Sequence, residues 1–239
     1  IAEANMVGVA AGMSTTGKIP FVSSFAMFLA GRAYEQIRNS VGYPHLNVKL
    51  GATHAGISVG EDGATHQCNE DIALMRAIPG MTVIVPCDDI EARQAVFAAA
   101  EIKGPVYLRF GRLAVPVIND ESYKFEVGKA VELKKGDDVT IIATGLMVSK
   151  ALDAAKMLEE NKGIHARVIN IHTIKPIDKD AIIAASKETK FIVTAEEHSV
   201  IGGLYSAVTE VTSSQAPCKV IPVAVMDTFG KSGPATELL

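Results

Sequence analysis

The chain has 239 residues, 48% of them hydrophobic, which is enough for about two domains with well-buried cores. A formal net charge of −4 argues against a general nucleic-acid surface, because no face dense in lysine and arginine appears. No apolar run reaches the roughly 20 residues that span a bilayer, and no signal-peptide pattern opens the chain, so we expect a cytoplasmic protein. Cys68, Cys87 and Cys218 lack Cys-x-x-Cys spacing, which predicts reduced thiols.

In the first half of the chain, short β-rich runs alternate with helical patterns. Strands are predicted at 18–24, 46–50, 81–85 and 105–109, and helices at 3–13, 26–41, 69–77 and 89–100. Ligands of open parallel sheets bind at the carboxyl ends of the strands. The polar loop after the second strand is therefore well placed for a site.

The second half of the chain repeats the alternation after a stretch without periodicity. Strands are predicted at 139–144, 166–171, 191–195 and 219–225, and helices at 148–162, 178–187 and 203–213. The sequence thus predicts two consecutive α/β domains with mostly parallel sheets, at 1–115 and 136–239, joined by a connection at 116–135. Only four strands precede this connection, so we expect the N-terminal part of the first domain to be missing.

The loop after the second strand carries the most informative residues of the chain. Residues 60–67 place two carboxylates and an imidazole between and after two glycines, in a stretch too polar for a core. His54, Asp62 and His66 could together hold hydroxyl and phosphate groups. These three residues lack the His-x-x-x-His spacing of a helical metal site, so we expect no metal to be bound by them.

Together with Ile-Ala-Glu-Ala-Asn-Met at 1–6 and the pair Phe25/Phe28, this loop resembles the pyrimidine-binding domain of transketolases. The second half resembles their C-terminal domain. The resemblance implies thiamine diphosphate as cofactor. The family's diphosphate-binding domain carries Gly-Asp-Gly followed by Asn, and nothing here has that arrangement. We therefore expect a partner subunit that supplies this domain and the Mg²⁺ or Ca²⁺ ligands, self-association into a heterotetramer, and no activity of this chain alone.

The resemblance also implies roles for residues at the cofactor. Glu3 matches the catalytic carboxyl group that contacts a ring nitrogen of the aminopyrimidine. It lies on a helix of small residues, which would let a symmetry-related helix approach and bury the carboxyl, so we expect a raised pKa. Phe25 and Phe28 match the residues that stack on the pyrimidine ring.

Four residues match substrate ligands of the family. Asp62 corresponds to the carboxylate that reads the hydroxyl beside the sugar carbonyl, and His66 to a catalytic or polar group near the bound substrate. His54 and Arg112 match phosphate ligands, since the planar fork of arginine suits phosphate. Arg109 competes with Arg112 for that role.

The implied activity is transfer of a two-carbon ketol unit from xylulose 5-phosphate to ribose 5-phosphate or erythrose 4-phosphate, as in the pentose phosphate pathway. Deoxyxylulose phosphate synthase is an alternative, because it shares Ile-Ala-Glu and an Asp-Gly-x-Thr-His-Gln run. The beta subunit of 2-oxoacid dehydrogenases shares the domain layout, and a non-catalytic scaffold is a further alternative. Glu196-Glu197-His198 could be mistaken for a catalytic group; we assign it to structure or regulation.

Overall fold

The computed structural model describes all 239 residues and contains two α/β units. The first unit comprises α1 (Glu3–Ser14), β1 (Phe21–Phe25), α2 (Tyr34–Gln36), β2 (Lys49–Thr53), α3 (Asp71–Ala77), β3 (Thr82–Ile84), α4 (Asp89–Glu101) and β4 (Val106–Arg109). Two π-helical segments, Met27–Arg32 and Ile37–Gly42, flank α2, and a 3₁₀ segment, Ile57–Asp62, follows β2.

The second unit comprises β5 (Val131–Lys134), β6 (Val139–Ala143), α5 (Met147–Lys162), β7 (Ala166–Asn170), β8 (Thr173–Lys175), α6 (Lys179–Glu188), β9 (Ile192–Ser199), α7 (Leu204–Gln215) and β10 (Val220–Val225). Its sheet has the order β10-β9-β6-β7-β5, and the first sheet has the order β1-β2-β4-β3-β8. All neighbours are parallel except β3/β8 and β5/β7. The predicted fold class, two α/β domains with mostly parallel sheets, is confirmed.

Local sequence explains where several helices begin and end. Asp88 and Asp178 precede α4 and α6, and their carboxylates accept hydrogen bonds from the backbone N–H of Glu91 and Ala181. Gly163 ends α5 in the left-handed conformation, with φ of 63°, which glycine adopts without steric cost. No helix of the structure is long and apolar enough to cross a bilayer.

The predicted elements differ from the structure in three places. The helix predicted at 26–41 is divided into π-helical and α-helical segments, and such π segments are frequent at functional sites. The connection predicted at 116–135 contains β5, the edge strand of the second sheet. Strand β8 was not predicted at all. Both missed strands have only three or four residues, too few to show a period of two.

Strand β8 links the two units. It follows β7 in the second unit but pairs with β3 of the first sheet, and Ile174 at its centre is only 2% exposed. Lys175 donates hydrogen bonds to the carbonyls of Arg76 and Ile78, at 2.8 and 2.6 Å. A single hydrophobic core of 32 buried residues includes side chains of both units. We therefore expect the two units to unfold together.

We predict that Ile174→Ala lowers the free energy of unfolding of the whole chain by about 2–5 kcal/mol, because it removes buried methylene groups and leaves a cavity. Urea denaturation followed by circular dichroism would measure this, with a single transition expected. Ile201→Ala is the control, since Ile201 is 61% exposed, and its effect should stay within about 0.5 kcal/mol. Equal effects of the two substitutions would contradict the burial of β8.

Candidate active site

The paired ends of β1 and β2 bring together the first two predicted site residues. The register pairs Phe25 with Thr53, the last residue of β2. Phe25 is therefore a neighbour of His54, which directly follows that strand. Their rings stack with centroids 3.7 Å apart and an interplanar angle of 12°. His54 adopts a left-handed backbone with φ of 58°, which is uncommon outside glycine and often marks a functional position.

Phe28 extends this aromatic wall. Its ring is stacked with that of Phe25, with centroids 6.0 Å apart, and the ring of His66 meets it edge-on at 5.3 Å. The guanidinium of Arg32 lies 4.7 Å from the Phe28 ring centroid, a distance at which a cation is attracted to the ring face. The predicted cofactor residues Phe25 and Phe28 therefore lie in one wall with His54 and His66.

Glu3 joins the wall through Arg32. Its carboxylate accepts hydrogen bonds from Arg32 Nη1 at 2.8 Å and from Ser24 Oγ at 3.3 Å. The residue is 7% exposed within the chain, and the raised pKa expected from burial by a symmetry-related helix stays a prediction. The guanidinium of Arg32 stabilises the charged form of the carboxyl, whereas desolvation favours the neutral form.

The loop 57–67 presents the remaining acidic residues. Its glycines Gly60 and Gly63 have φ of 84° and 70°, conformations that other residues rarely adopt. Glu61 and Asp62 are exposed, and their carboxylates lie 3.7 and 3.8 Å from Arg112 Nη1. Arg112 also donates a hydrogen bond to the carbonyl of Val59. The loop thus faces Arg112, the predicted phosphate ligand that follows β4.

Burial and the charged residues Arg112 and Asp62 shift the pKa of His54. Burial lowers its pKa below the usual value, the positive charge of Arg112 lowers it further, and the negative charge of Asp62 raises it. His54 is therefore neutral at pH 7, and its Nδ1 lies 3.1 Å from the hydroxyl of Thr53. The three predicted ligands His54, Asp62 and Arg112 share one electrostatic environment.

The guanidinium of Arg109, the alternative to Arg112 as phosphate ligand, is bound to other residues of the chain. It is 4% exposed, and its Nε donates to both carboxylate oxygens of the fully buried Asp71, at 2.9 and 3.1 Å. Its Nη2 donates to the carbonyl of Glu197 at 3.0 Å. Arg112, whose side chain is 42% exposed, is the arginine that remains accessible at this strand end.

The group Glu196-Glu197-His198 has structural contacts, in agreement with its assignment to structure. Glu196 accepts hydrogen bonds from the N–H groups of Leu204 and Tyr205 at the start of α7. Burial raises its pKa to about 7. Glu197 accepts from the N–H of Ser58, and its carboxyl pKa is also raised by burial. Glu197 therefore reaches from β9 of the second unit to the site loop of the first.

A cavity of about 750 Å³ borders the aromatic wall. Phe28 and Arg32 line it on one side and residues 227–230 on another, whereas Glu3, His54, Asp62 and Arg112 lie outside it. Two lining residues, Gln67 and Asn69, each carry a buried amide oxygen with no hydrogen-bond partner. Such acceptors suit a ligand that donates hydrogen bonds, and the volume is typical of a cofactor site.

Two contacts of Glu3, with Arg32 and with Ser24, were not predicted from the sequence. Arg32 lies four residues after Phe28, the spacing of neighbours on one helical face, and this signal could have identified it. Ser24 precedes Phe25 on β1 and carries no such signal. The structure contains no group of three or more His, Cys, Asp or Glu side chains that could hold a metal ion.

Comparison with known proteins supplies the family. Residues 1–117 match the model of the transketolase pyrimidine binding domain, and residues 128–239 match that of the transketolase C-terminal domain. A protein of Methanocaldococcus jannaschii described as a transketolase C-terminal section is 54% identical over 242 residues, covering 100% of this chain and 75% of the relative. The chain belongs to the transketolase family.

Two further similarities extend this finding. The 6-deoxy-6-sulfo-D-fructose transketolase subunit of a Clostridium species is 46% identical, with 98% of this chain and 72% of the relative covered. A solved structure of a split gene transketolase, described as an inactive beta4 tetramer, is 55% identical with a TM-score of 0.91. That match covers 97% of this chain and 75% of the other. The resemblance to transketolases stated from the sequence is confirmed.

We predict that substitutions at two loop charges move the pKa of His54 in opposite directions. Arg112→Gln removes a positive charge and should raise it, whereas Asp62→Asn removes a negative charge and should lower it further. Titration of the His54 ring signals by NMR would measure both. Lys187→Gln, which removes a charge from α6, is the control and should leave His54 unchanged. Shifts of the same sign in both variants would contradict the arrangement.

Proposed function

We propose that the chain is the pyrimidine-binding half of a two-subunit transketolase that uses thiamine diphosphate. The reaction is transfer of a two-carbon ketol unit from a ketose phosphate to an aldose phosphate. The observation that supports this is the continuous set of contacts from Glu3 through Arg32 and Phe28 to Phe25 and His54. A carboxylate beside an aromatic wall, with a cationic group at its far edge, suits an aminopyrimidine and a neighbouring sugar phosphate.

In this proposal the cofactor residues are Glu3, Phe25 and Phe28. Thiamine diphosphate supplies, when bound, the nucleophilic carbon that takes up the two-carbon unit. Phe25 and Phe28 would hold the aminopyrimidine ring by stacking, and Glu3 would contact a ring nitrogen. Arg32 holds the Glu3 carboxylate in its charged form, so this ion pair must weaken for Glu3 to share a proton with the ring.

The substrate residues lie at the other end of the wall. Asp62 would accept a hydrogen bond from the sugar hydroxyl beside the carbonyl, and an analogue without that hydroxyl would leave the carboxylate unpaired. Arg112 would supply the positive charge for the substrate phosphate, and the neutral His54 a single N–H donor. His66 bonds through Nδ1 to the hydroxyl of Thr65, at 2.9 Å, so its Nε2 is available for proton exchange with substrate oxygens.

The diphosphate and its divalent metal, Mg²⁺ or Ca²⁺, belong in this proposal to a partner subunit. This is supported by the similarity to the split gene transketolase, whose solved form is described as an inactive beta4 tetramer. We infer that this chain self-associates and becomes active only in a heterotetramer with its partner.

The experiment that tests the proposal is a coupled assay of the chain with its copurified partner, thiamine diphosphate and Mg²⁺. Xylulose 5-phosphate with ribose 5-phosphate should yield glyceraldehyde 3-phosphate, and removal of the partner should abolish the product. A sulfonated ketose serves as a second donor, because the Clostridium relative is named for one. Carbon dioxide from pyruvate would instead indicate the synthase or the dehydrogenase, and a stable complex inactive on every donor would indicate a scaffold.

We predict that Glu3→Gln lowers kcat by about 10²–10⁴-fold, the range for loss of a positioned acid–base group, while the complex still assembles. Glutamine keeps the size of the side chain but cannot share a proton. Glu35→Gln is the matched control, because Glu35 is exposed on α2 and contacts only Gln36 and Asn39. Initial rates and gel filtration would be measured for both variants. Unchanged turnover in Glu3→Gln would refute its catalytic role and favour a scaffold.

A further inference from the structure

Residues 230–235, after the last strand of the second unit, lie directly on the site loop 57–67 of the first. Gln67 Nε2 donates to the carbonyl of Lys231 at 2.9 Å and to that of Ile57 at 3.0 Å. Ser232 Oγ donates to the carbonyl of Glu61 at 2.6 Å. The segment therefore forms hydrogen bonds with both halves of the loop.

Glycines make this approach possible. A Cβ at Gly230 would lie 1.9 Å from the amide oxygen of Gln67, a distance that no pair of unbonded atoms tolerates. On the loop side, a Cβ at Gly60 would lie 3.2 Å from that of Ala235, and one at Gly63 would lie 3.3 Å from that of Ser232. The two segments are therefore packed almost backbone to backbone.

A second contact fixes the start of the loop. The carboxylate of Glu197 on β9 accepts a hydrogen bond from the N–H of Ser58 at 3.1 Å. A Cβ at Gly56 would lie 2.3 Å from that carboxyl group, so this approach also requires glycine. The second unit thus holds the loop at its start through Glu197 and at its end through residues 230–235.

Between these two attachments the loop carries the exposed groups of the site. Asp62 directly follows Glu61, whose carbonyl is held by Ser232, and both carboxylates face Arg112. Arg112 in turn donates to the carbonyl of Val59 in the same loop. A displacement of the loop backbone would therefore change the distance between the Asp62 carboxylate and the Arg112 guanidinium.

We propose that residues 230–235 are a positioning element that sets the direction of Asp62 and Arg112 for substrate binding. The segment supplies no reacting group and acts through Gln67 and the backbone of Glu61. The effect on substrate rests on the proposed function, whereas the effect on the order of the loop does not. The two parts can therefore be tested separately.

The order of the loop is tested by hydrogen–deuterium exchange on the chain alone. Gly230→Ala is incompatible with the present position of the Gln67 amide, so the segment or the Gln67 side chain must move and the hydrogen bonds of Gln67 to Lys231 and Ile57 are lost. The substitution should accelerate exchange in residues 57–67 by about ten-fold, with no change in β6 or β7. Gly233→Ala is the matched control, since its Cβ would meet only the side chain of Leu238, at 3.4 Å. Equal exchange of the loop in the two variants would overturn the proposal.

A milder pair of substitutions at Ser232 tests the same contact in case Gly230→Ala does not fold. Ser232 is exposed, so Ser232→Ala removes only the hydroxyl that donates to Glu61, and Ser232→Thr retains a hydroxyl. Ser232→Ala should accelerate exchange in the loop in the same direction, and Ser232→Thr should resemble the unsubstituted chain. Identical exchange in these two variants would count against the proposal.

Kinetics of the assembled enzyme test the link to substrate. Gly230→Ala should raise KM for the ketose phosphate by about 5- to 10-fold, as expected for weakened hydrogen bonds, with kcat changed by less than about two-fold. In an Asp62→Ala background this KM effect should be smaller, because only the part that acts through Arg112 remains. A fall in kcat alone, or an undiminished effect in that background, would overturn the proposal. An inactive unsubstituted enzyme would refute the proposed function, and the exchange experiment would still decide the role of the segment.

Discussion

A buried ion pair between Arg109 and Asp71 holds together the four segments on which the site depends. Arg109 ends β4, Asp71 begins α3, and the same guanidinium donates to the carbonyls of Cys68, at the end of the site loop, and Glu197, on β9. The hydroxyl of Tyr107 adds a hydrogen bond to Asp71 at 2.8 Å. Because a buried charge without its partner costs several kcal/mol, these segments have little freedom to separate. The loop that carries the substrate residues is thus anchored to a rigid sheet.

Arg32 performs a second linking role at the cofactor end of the site. One guanidinium contacts both the Phe28 ring and the Glu3 carboxylate, so the orientation of the aromatic wall and the charge of Glu3 are coupled. The side chain of Arg32 is 47% exposed, so a ligand can reach it. A ligand that packs on Phe28 would compete with Arg32 for the ring face. Binding of an aromatic ring would then loosen the ion pair and raise the pKa of Glu3, the direction that proton sharing requires.

Much of this arrangement could be predicted from the sequence, because it depends on local pattern. The strand ends that place Phe25 and His54 side by side follow from β-rich runs and from the topology of parallel sheets. The choice between Arg109 and Arg112 could not be predicted, since it depends on the burial of Asp71 against β4, a contact between residues 38 positions apart. The ion pair of Glu3 with Arg32 joins residues 29 positions apart, and only the spacing of Arg32 from Phe28 indicated it in the sequence.

The second unit contributes to the site by holding segments of the first unit in place. Strand β8 completes the first sheet, Glu197 holds the start of the site loop, and residues 230–235 hold its end. All three are contacts over more than 80 residues of sequence, and none has a periodic signature. The two contacts with the loop also require close approach, which the glycines Gly56 and Gly230 permit. The proposed substrate residues of the first unit therefore have a geometry that the first unit alone does not determine, so we expect substitutions in the second unit to change that geometry without any direct contact to a ligand.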